Sequence, residues 1–224
     1  DLQLAVRLEA AQGLTKAGAE QRAMAAEGLK AILLDPVSDG EDLRAAAVSL
    51  ADLGEEHRRF AVERLISALD STTRPPFDVM HAAAGLAEIG IEFHDRVVAV
   101  FQRVTQDNTV LPKVRRDAAL ALGALGPAYL EGAADALEYL IARKRVDLKL
   151  HASEAALALA KLGPEYIPVA AGHLLRLLAS PWVQWDGYFC HRYATDLVKL
   201  GTAFHPQAAD RADAVLLLTE WKQY

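Results

Sequence analysis

The side chains that could perform chemistry are scattered along this sequence. No two of its seven histidines stand four residues apart with a carboxylate between them, so the spacing of a zinc peptidase is absent. Cys190 and His191 are adjacent, which directs them to different faces of a helix rather than to one metal ion. Ser153 and Ser180 lie in no nucleophile elbow, and the glycines lack the spacing that cradles phosphate. The sequence therefore predicts a protein that is not an enzyme and that holds no metal or cofactor.

An aromatic segment, PWVQWDGYFCHRY at residues 181–193, is the first candidate binding surface. Trp182, Trp185, Tyr188 and Arg192 are of the types that anchor protein interfaces, because their side chains bury much area at a low cost in conformational entropy. The alternative interpretation is that these rings pack the last helices onto their neighbours. Both interpretations stay open at this point.

A basic segment, Arg143, Lys144 and Arg145, is the second candidate. Together with Lys113, Arg115 and Arg116 it could form a ridge that meets an acidic protein or a phosphate chain. The alternative is a solvated helix end, where cations are favourable because of the helix dipole.

The overall composition narrows the class of partner. The chain has 224 residues, 52% of them hydrophobic, and a formal net charge of −6, which disfavours a general nucleic-acid binder. A single cysteine allows no internal disulfide and favours a reducing compartment, so we expect a cytoplasmic protein. The sequence contains no apolar run of membrane-spanning length, and we expect no membrane contact. Because the chain opens on Asp1 rather than Met, we expect a piece of a longer protein.

The elements that must position these candidates repeat along the chain. A glycine recurs at intervals of 36 to 38 residues, with an alanine seven residues before it and a leucine four residues before it. The glycines are Gly18, Gly54, Gly90, Gly126, Gly163 and Gly201; the alanines are Ala11, Ala47, Ala83, Ala119, Ala156 and Ala194; the leucines are Leu14, Leu50, Leu86, Leu122, Leu159 and Leu197. This spacing marks one face of a helix, in which the alanine allows close approach and the leucine fills the groove. Each glycine is predicted to end its helix in the left-handed conformation.

A second helix follows each glycine. Small apolar residues stand seven positions after the glycine: Ala25, Ala61, Val97, Ala133, Ala170 and Ala208. Apolar residues that are mostly larger stand eleven positions after it: Leu29, Leu65, Phe101, Leu137, Leu174 and Ala212. Most units also place an aromatic ring or a histidine three residues after the glycine, where it can pack over the turn. The units are helical hairpins with approximate bounds 1–36, 37–72, 73–110, 111–146, 147–181 and 182–224, and proline-containing connectors separate several of them. We predict a single all-α domain with about twelve helices and no sheet.

The stretch VRRDAALALGALG at residues 114–126 resembles the VRxxAAxALGxLG signature of HEAT-like repeats of the phycobilisome-lyase type, and we expect a bacterial protein. The resemblance implies a right-handed α-solenoid of about six hairpins, with the second helices lining the concave side. Four carboxylates stand nine residues after a glycine, and the resemblance would place them there as an acidic stripe: Glu27, Glu63, Asp135 and Asp210. The alternative is an ordinary solvated face.

The function that we expect is a non-catalytic scaffold or regulatory interaction domain, which binds another protein or a peptide through the concave face and the connectors. Self-association through apolar ends, marked by Leu2, Leu4, Val6 and residues 215–218, is a further expectation. An alternative is a DNA glycosylase built from HEAT-like repeats, or another nucleic-acid-binding module; Trp185, Asp186 and Arg192 supply the residue types, and the net charge disfavours it. A lyase-like or chaperone role on a pigment protein is a third possibility, suggested only by the repeat type.

Overall fold

Every regular element that the structure describes is a helix. The structure is a computed structural model that describes residues 2–142, 149–180 and 187–204. Eleven α-helices lie in these ranges: α1 (Leu2–Leu14), α2 (Ala19–Leu34), α3 (Gly40–Ala51), α4 (Glu55–Asp70), α5 (Pro76–Ile89), α6 (His94–Gln106), α7 (Pro112–Ala124), α8 (Leu130–Ala142), α9 (Lys149–Lys161), α10 (Ile167–Leu178) and α11 (Gly187–Lys199). The predicted all-α fold is confirmed over this part of the chain, and the twelfth predicted helix lies outside the described residues.

The helices group into two compact units, Asp1–Val110 and Leu111–Tyr224. In the first unit each helix packs on the next, and the first helices of successive hairpins also pack on one another, α1 on α3 and α3 on α5. In the second unit α9 has the same central place, because it packs on α7, α8, α10 and α11. That the chain forms a single domain stays a prediction.

Local signals in the sequence explain where several helices begin. Pro76 and Pro112 occupy the first position of α5 and α7, where a missing N–H costs nothing and the fixed φ suits a helix. At the start of α3, the Asp39 carboxylate accepts a hydrogen bond of 2.9 Å from the backbone N–H of Asp42. The predicted breakers in the connectors are thus confirmed at these starts.

The repeating positions form the core, as predicted. All six alanines that stand seven residues before a glycine are buried, none of them more than 6% exposed. Five of the six leucines are buried, and Leu14 is half-buried. On the second helices, every described member of the two predicted positions is fully buried, from Ala25 and Leu29 to Ala170 and Leu174. Ala208 and Ala212 lie outside the described residues.

The glycines behave differently from the prediction. Gly54, Gly126 and Gly201 have positive φ values of 138°, 138° and 142°. With its ψ of 170°, Gly54 has an extended backbone and not the left-handed helical conformation that was predicted. Gly18, Gly90 and Gly163 adopt backbone angles that any residue can adopt. The physical reason is that the last helical turn caps itself: Leu125 N–H bonds to Leu122 O at 3.2 Å and Gly126 N–H to Gly123 O at 3.3 Å. The glycine then only has to redirect the chain.

A short 3-10 turn follows the glycine in four hairpins. Each turn ends on an aromatic residue whose backbone N–H bonds to the carbonyl of the glycine, with N···O distances between 3.0 and 3.3 Å. The turns are Ile91–Phe93, Pro127–Tyr129, Pro164–Tyr166 and Thr202–Phe204. The four rings are half-buried, and Tyr166 and Phe204 pack against the core of the second unit. The predicted packing of these rings is supported for Tyr166 and Phe204, but the sequence pattern gave no sign of the 3-10 turn on which the rings stand.

The first hairpin only partly matches the expectation of an apolar end. Leu4 is 4% exposed and belongs to the core, so its predicted exposure is wrong, whereas Val6 is 58% exposed. Leu4 is buried because α1 packs on both α2 and α3. The side chain of Leu2 and residues 215–218 lie outside the described part. Among the described helices, none is both long and apolar enough to cross a bilayer.

Candidate functional site

A cleft of about 510 Å³ lies beside two successive connectors of the first unit. The end of α4 and the connector at residues 71–75 form one wall, and the end of α6 with residues 107–110 forms the other. The connector leaves α4 in an extended conformation at Ser71, and Pro75 and Pro76 start α5. The second wall is held by Asp107, whose Oδ1 accepts hydrogen bonds from Thr109 N–H at 2.8 Å and from Thr109 Oγ1 at 2.7 Å. Both walls are therefore shaped by local turn chemistry.

The floor of this connector cleft is apolar and its rim is polar. The buried side chains of Leu69, Val79, Val104 and Val110 form the floor. The rim carries two arginines, two aspartates and two hydroxyl side chains: Arg74, Arg103, Asp70, Asp107, Ser71 and Thr72. Because these four side chains are almost fully buried, the apolar floor is small and most of the surface that the cleft exposes is polar.

The charged side chains on the rim differ in how closely other side chains bind them. Asp70 is bound by Arg96, whose Nη2 lies 2.5 and 2.6 Å from its two carboxylate oxygens. Within the described residues, Arg74 Nη1 makes only long contacts of 3.5 Å, to Ser38 O and to Asp78 Oδ2. The exposed guanidinium of Arg103 contacts no acceptor within the described ranges. The cleft therefore presents at least one cation that is available to a ligand.

None of these cleft residues was among the candidates from the sequence. The two connectors were recognised as breakers, but Arg74 and Arg103 occupy positions that no repeat pattern distinguishes. The only available signal was that two arginines flank consecutive connectors, which is common on protein surfaces.

The structure divides the aromatic segment. Tyr193 is fully buried, and its ring centroid lies 5.9 Å from that of Phe189. Tyr193 therefore packs in the core, in agreement with the interpretation that these rings pack the last helices onto their neighbours. Tyr188 is 63% exposed and stacks edge to face on Phe189 at 5.4 Å. Cys190 is buried and His191 exposed, on different faces as predicted. Trp182 and Trp185 lie outside the described residues.

Arg192 belongs to a charge network across three helices. Glu154 on α9 binds Arg116 of α7 at 2.6 Å and Arg192 of α11 at 3.3 Å. Asp196, which is fully buried, binds Lys199 Nζ at 2.7 Å and lies 3.5 Å from Arg192 Nε. Burial would lower the pKa of Arg192, but Asp196, Tyr188 and Glu154 raise it above its ordinary value. In this arrangement Arg192 links hairpins to each other.

The basic ridge does not form as expected around α7. Arg115 is 1% exposed, with its guanidinium carbon 5.4 Å from the centroid of the Tyr139 ring. Arg116 is engaged by Asp117 and Glu154. The reason is that this face of α7 packs on α8 and α9, which leaves Lys113 as the exposed cation of the three. Arg143, Lys144 and Arg145 lie outside the described residues.

The acidic positions on the second helices are exposed where they are described. Glu27, Glu63 and Asp135 all face solvent, and Asp210 lies outside the described residues. Glu27 forms a salt bridge of 3.0 Å with Lys30. A smaller cleft of about 230 Å³ next to Glu63 is lined by the cations Lys30 and Arg59 and the anion Glu56, together with His57 and Phe60. The face is therefore mixed in charge around Glu27 and Glu63.

A histidine is held between two second helices of the second unit. His173 Nδ1 accepts a hydrogen bond of 2.8 Å from Arg176 Nη2, and Nε2 lies 3.7 Å from Glu138 Oε2. Since an arginine can only donate, this geometry requires the neutral imidazole with its proton on Nε2. Burial, and then Arg176, lower the pKa of His173 below its ordinary value, and Glu138 only partly opposes them.

This environment predicts a loss of stability in mild acid. Below the ordinary histidine pKa of 6.5, the unfolded chain binds a proton at His173 that the folded chain resists, so the free energy of unfolding falls as the pH falls. In His173→Gln, which keeps an acceptor for Arg176, we expect a smaller decrease between pH 7.5 and pH 5. Urea unfolding at both pH values measures the two decreases. Equal decreases in the variant and the parent would contradict the assignment.

In the part of the chain that the structure describes, no three His, Cys, Asp or Glu side chains come together in a way that could hold a metal ion. No protein-family model matches the chain, and no curated protein matches it. The site therefore has to be interpreted from its own geometry.

Proposed function

We propose that this chain is a non-catalytic scaffold or regulatory interaction domain, which binds another protein or a peptide through its inter-repeat connectors. The observation that supports this most strongly is the connector cleft, an apolar floor between two successive connectors with arginines at its rim. Connectors recur once per hairpin, and several of their side chains are exposed, among them Thr72 on the rim of the cleft. A surface of this kind can change its specificity without any change in the packing of the helices.

The proposal includes the architecture that the repeats imply, a right-handed solenoid of about six HEAT-like hairpins. It is supported by the fixed core positions and by contacts between successive first helices within each unit. In such stacks each hairpin contacts only its neighbours, and the extended faces serve as binding surfaces. The exposed carboxylates Glu27, Glu63 and Asp135 would belong to the second-helix face of that surface.

The described residues give no support to the nucleic-acid alternative. The net charge is −6, and Arg115, Arg116 and Arg192 are engaged inside the protein rather than presented to a phosphate chain. Trp185 and Asp186, which suggested a glycosylase, lie outside the described residues. We therefore propose protein or peptide as the partner.

The proposed function can be tested with the whole chain immobilised and exposed to an extract of its source organism. A scaffold retains a defined protein that free chain displaces. Thr72 is exposed on the rim, so Thr72→Trp fills the cleft with little effect on folding, and we expect retention to fall about tenfold, as when one interface anchor is lost. Glu131→Trp, at an exposed site on α8, is the matched control and should retain the protein normally.

Two results would count against the proposal. If no protein is retained that free chain can displace, the scaffold role is wrong. If Thr72→Trp and Glu131→Trp retain the same protein equally, while circular dichroism shows both folded, the connector cleft is not the binding surface.

A further inference from the structure

We infer that the connector cleft recognises the C-terminus of a partner chain, with Arg103 binding the terminal carboxylate and the apolar floor receiving the last side chain. The inference rests on the proposed function, because it names the part of the partner that the scaffold binds. It is carried by an available guanidinium beside an apolar floor, within one unit of the structure.

The floor selects an apolar side chain. Val79, Val104 and Leu69 are buried and nevertheless line the cleft, so a methyl-bearing side chain placed there would remove the remaining apolar surface from water. The cleft volume of about 510 Å³ lies in the range of small-ligand pockets and suits one or two residues rather than a helix.

The rim selects a single carboxylate. Arg103 offers the planar fork that binds a carboxylate through two parallel hydrogen bonds, and Arg74 is held only by contacts of 3.5 Å. Asp70 is neutralised by Arg96 and does not repel an incoming anion. A polyanion is disfavoured, because the carboxylate of Asp107 also stands on the rim. These charges favour a peptide terminus over a phosphate chain.

The connector adds donors for the same group. The hydroxyl and the backbone N–H of Thr72 contact no acceptor in the described residues, and Thr72 is exposed on the rim. A carboxylate has two oxygens with room for about four hydrogen bonds, which exceeds what one arginine supplies. Thr72 can therefore share the carboxylate with Arg103.

The test uses a defined probe and the full chain labelled with ¹⁵N. The probe is the peptide acetyl-Gly-Ser-Ala-Leu-Val with a free terminal carboxylate, and the comparison peptide has the same sequence with a terminal amide. We expect the acid to shift the backbone amide signals of Thr72, Thr109 and Val110, and to bind at least tenfold more tightly than the amide, as expected for the loss of a charge-assisted hydrogen bond.

Two arginine variants locate the effect. Arg103→Gln should weaken binding of the acid about tenfold or more and leave binding of the amide unchanged. Arg22→Gln is the matched control, because Arg22 is also exposed and its side chain also contacts no acceptor in the described part of the chain. It should bind the acid as the parent does.

The outcomes separate this inference from the proposed function. If acid and amide bind the cleft equally, or Arg103→Gln binds as the parent does, carboxylate recognition is wrong while the scaffold role stands. If neither peptide shifts the cleft signals at millimolar concentration, the cleft is not a peptide-terminus site, and retention by Thr72→Trp decides the scaffold role separately. If acetyl-valine alone binds as tightly as the peptide acid, the ligand is a small carboxylic acid and the peptide assignment is overturned.

Discussion

Replacing Ala25 with leucine is expected to lower the free energy of unfolding by about 1–3 kcal/mol, because added methylene groups in a packed core force side chains and backbone to shift. Ala25 stands seven residues after the first glycine of the repeat and is fully buried on α2. This position keeps a small residue in most hairpins, which we attribute to close helix contact. Urea unfolding followed by circular dichroism measures the change.

The matched control for this variant is Ala23→Leu. Ala23 lies on the same helix, two residues earlier, and is exposed. Alanine and leucine have similar helix propensities, so this variant should stay within about 0.5 kcal/mol of the parent. If both variants unfold at the same urea concentration, burial of the repeating alanine does not determine the packing, and our explanation of the repeat is wrong.

The second large effect is expected at Gly126. Its φ of 138° with ψ of 174° lies in a region that is essentially restricted to glycine, so Gly126→Ala should destabilise the protein by about 1–3 kcal/mol. A new Cβ would meet no atom within 4 Å, which means that the cost comes from the backbone and not from a clash. Thermal or urea unfolding of the variant tests this directly.

Gly163→Ala provides an unusually close comparison. Gly163 stands in the same Leu-Gly-Pro context, but its φ of 167° is extended backbone that any residue adopts. A new Cβ would meet only the carboxylate of Glu165, an exposed side chain that can move away. We therefore expect a change of less than about 1 kcal/mol, since reduced freedom of the unfolded chain offsets part of the cost. A larger loss at Gly163 than at Gly126 would contradict this interpretation.

The core could be predicted from the sequence because each hairpin repeats it. The buried alanines and leucines follow a helical spacing that occurs six times in register, and burial confirmed this spacing at every position except Leu14, which is half-buried. The backbone at the glycines could not be predicted in the same way. Gly126 and Gly163 both stand between a leucine and a proline and are both followed by a 3-10 turn, yet they differ in φ, so the neighbouring residues do not determine the backbone at this position.

The surface was harder to predict for a different reason. Arg115 and Arg116 are adjacent and both looked exposed, but only the packing of α7 decides that one enters the core and the other joins Glu154. The network of Arg116, Glu154 and Arg192 could have been found, since its members are separated by 38 residues each and alternate in charge. The connector cleft could not have been found from the sequence, because Arg74 and Arg103 occupy positions that no repeat pattern distinguishes.

The proposed solenoid requires the hairpins to continue as one stack, and a distance between spin labels on α1 and α11 tests this requirement most directly. Glu9 and His191 are exposed and lie on the first helices of the first and last hairpins, and Cys190→Ala removes the native thiol. Five steps between neighbouring first helices, at about 8–10 Å each, predict a distance of about 40–50 Å by pulsed electron paramagnetic resonance. A dominant distance below about 30 Å would contradict a continuous solenoid.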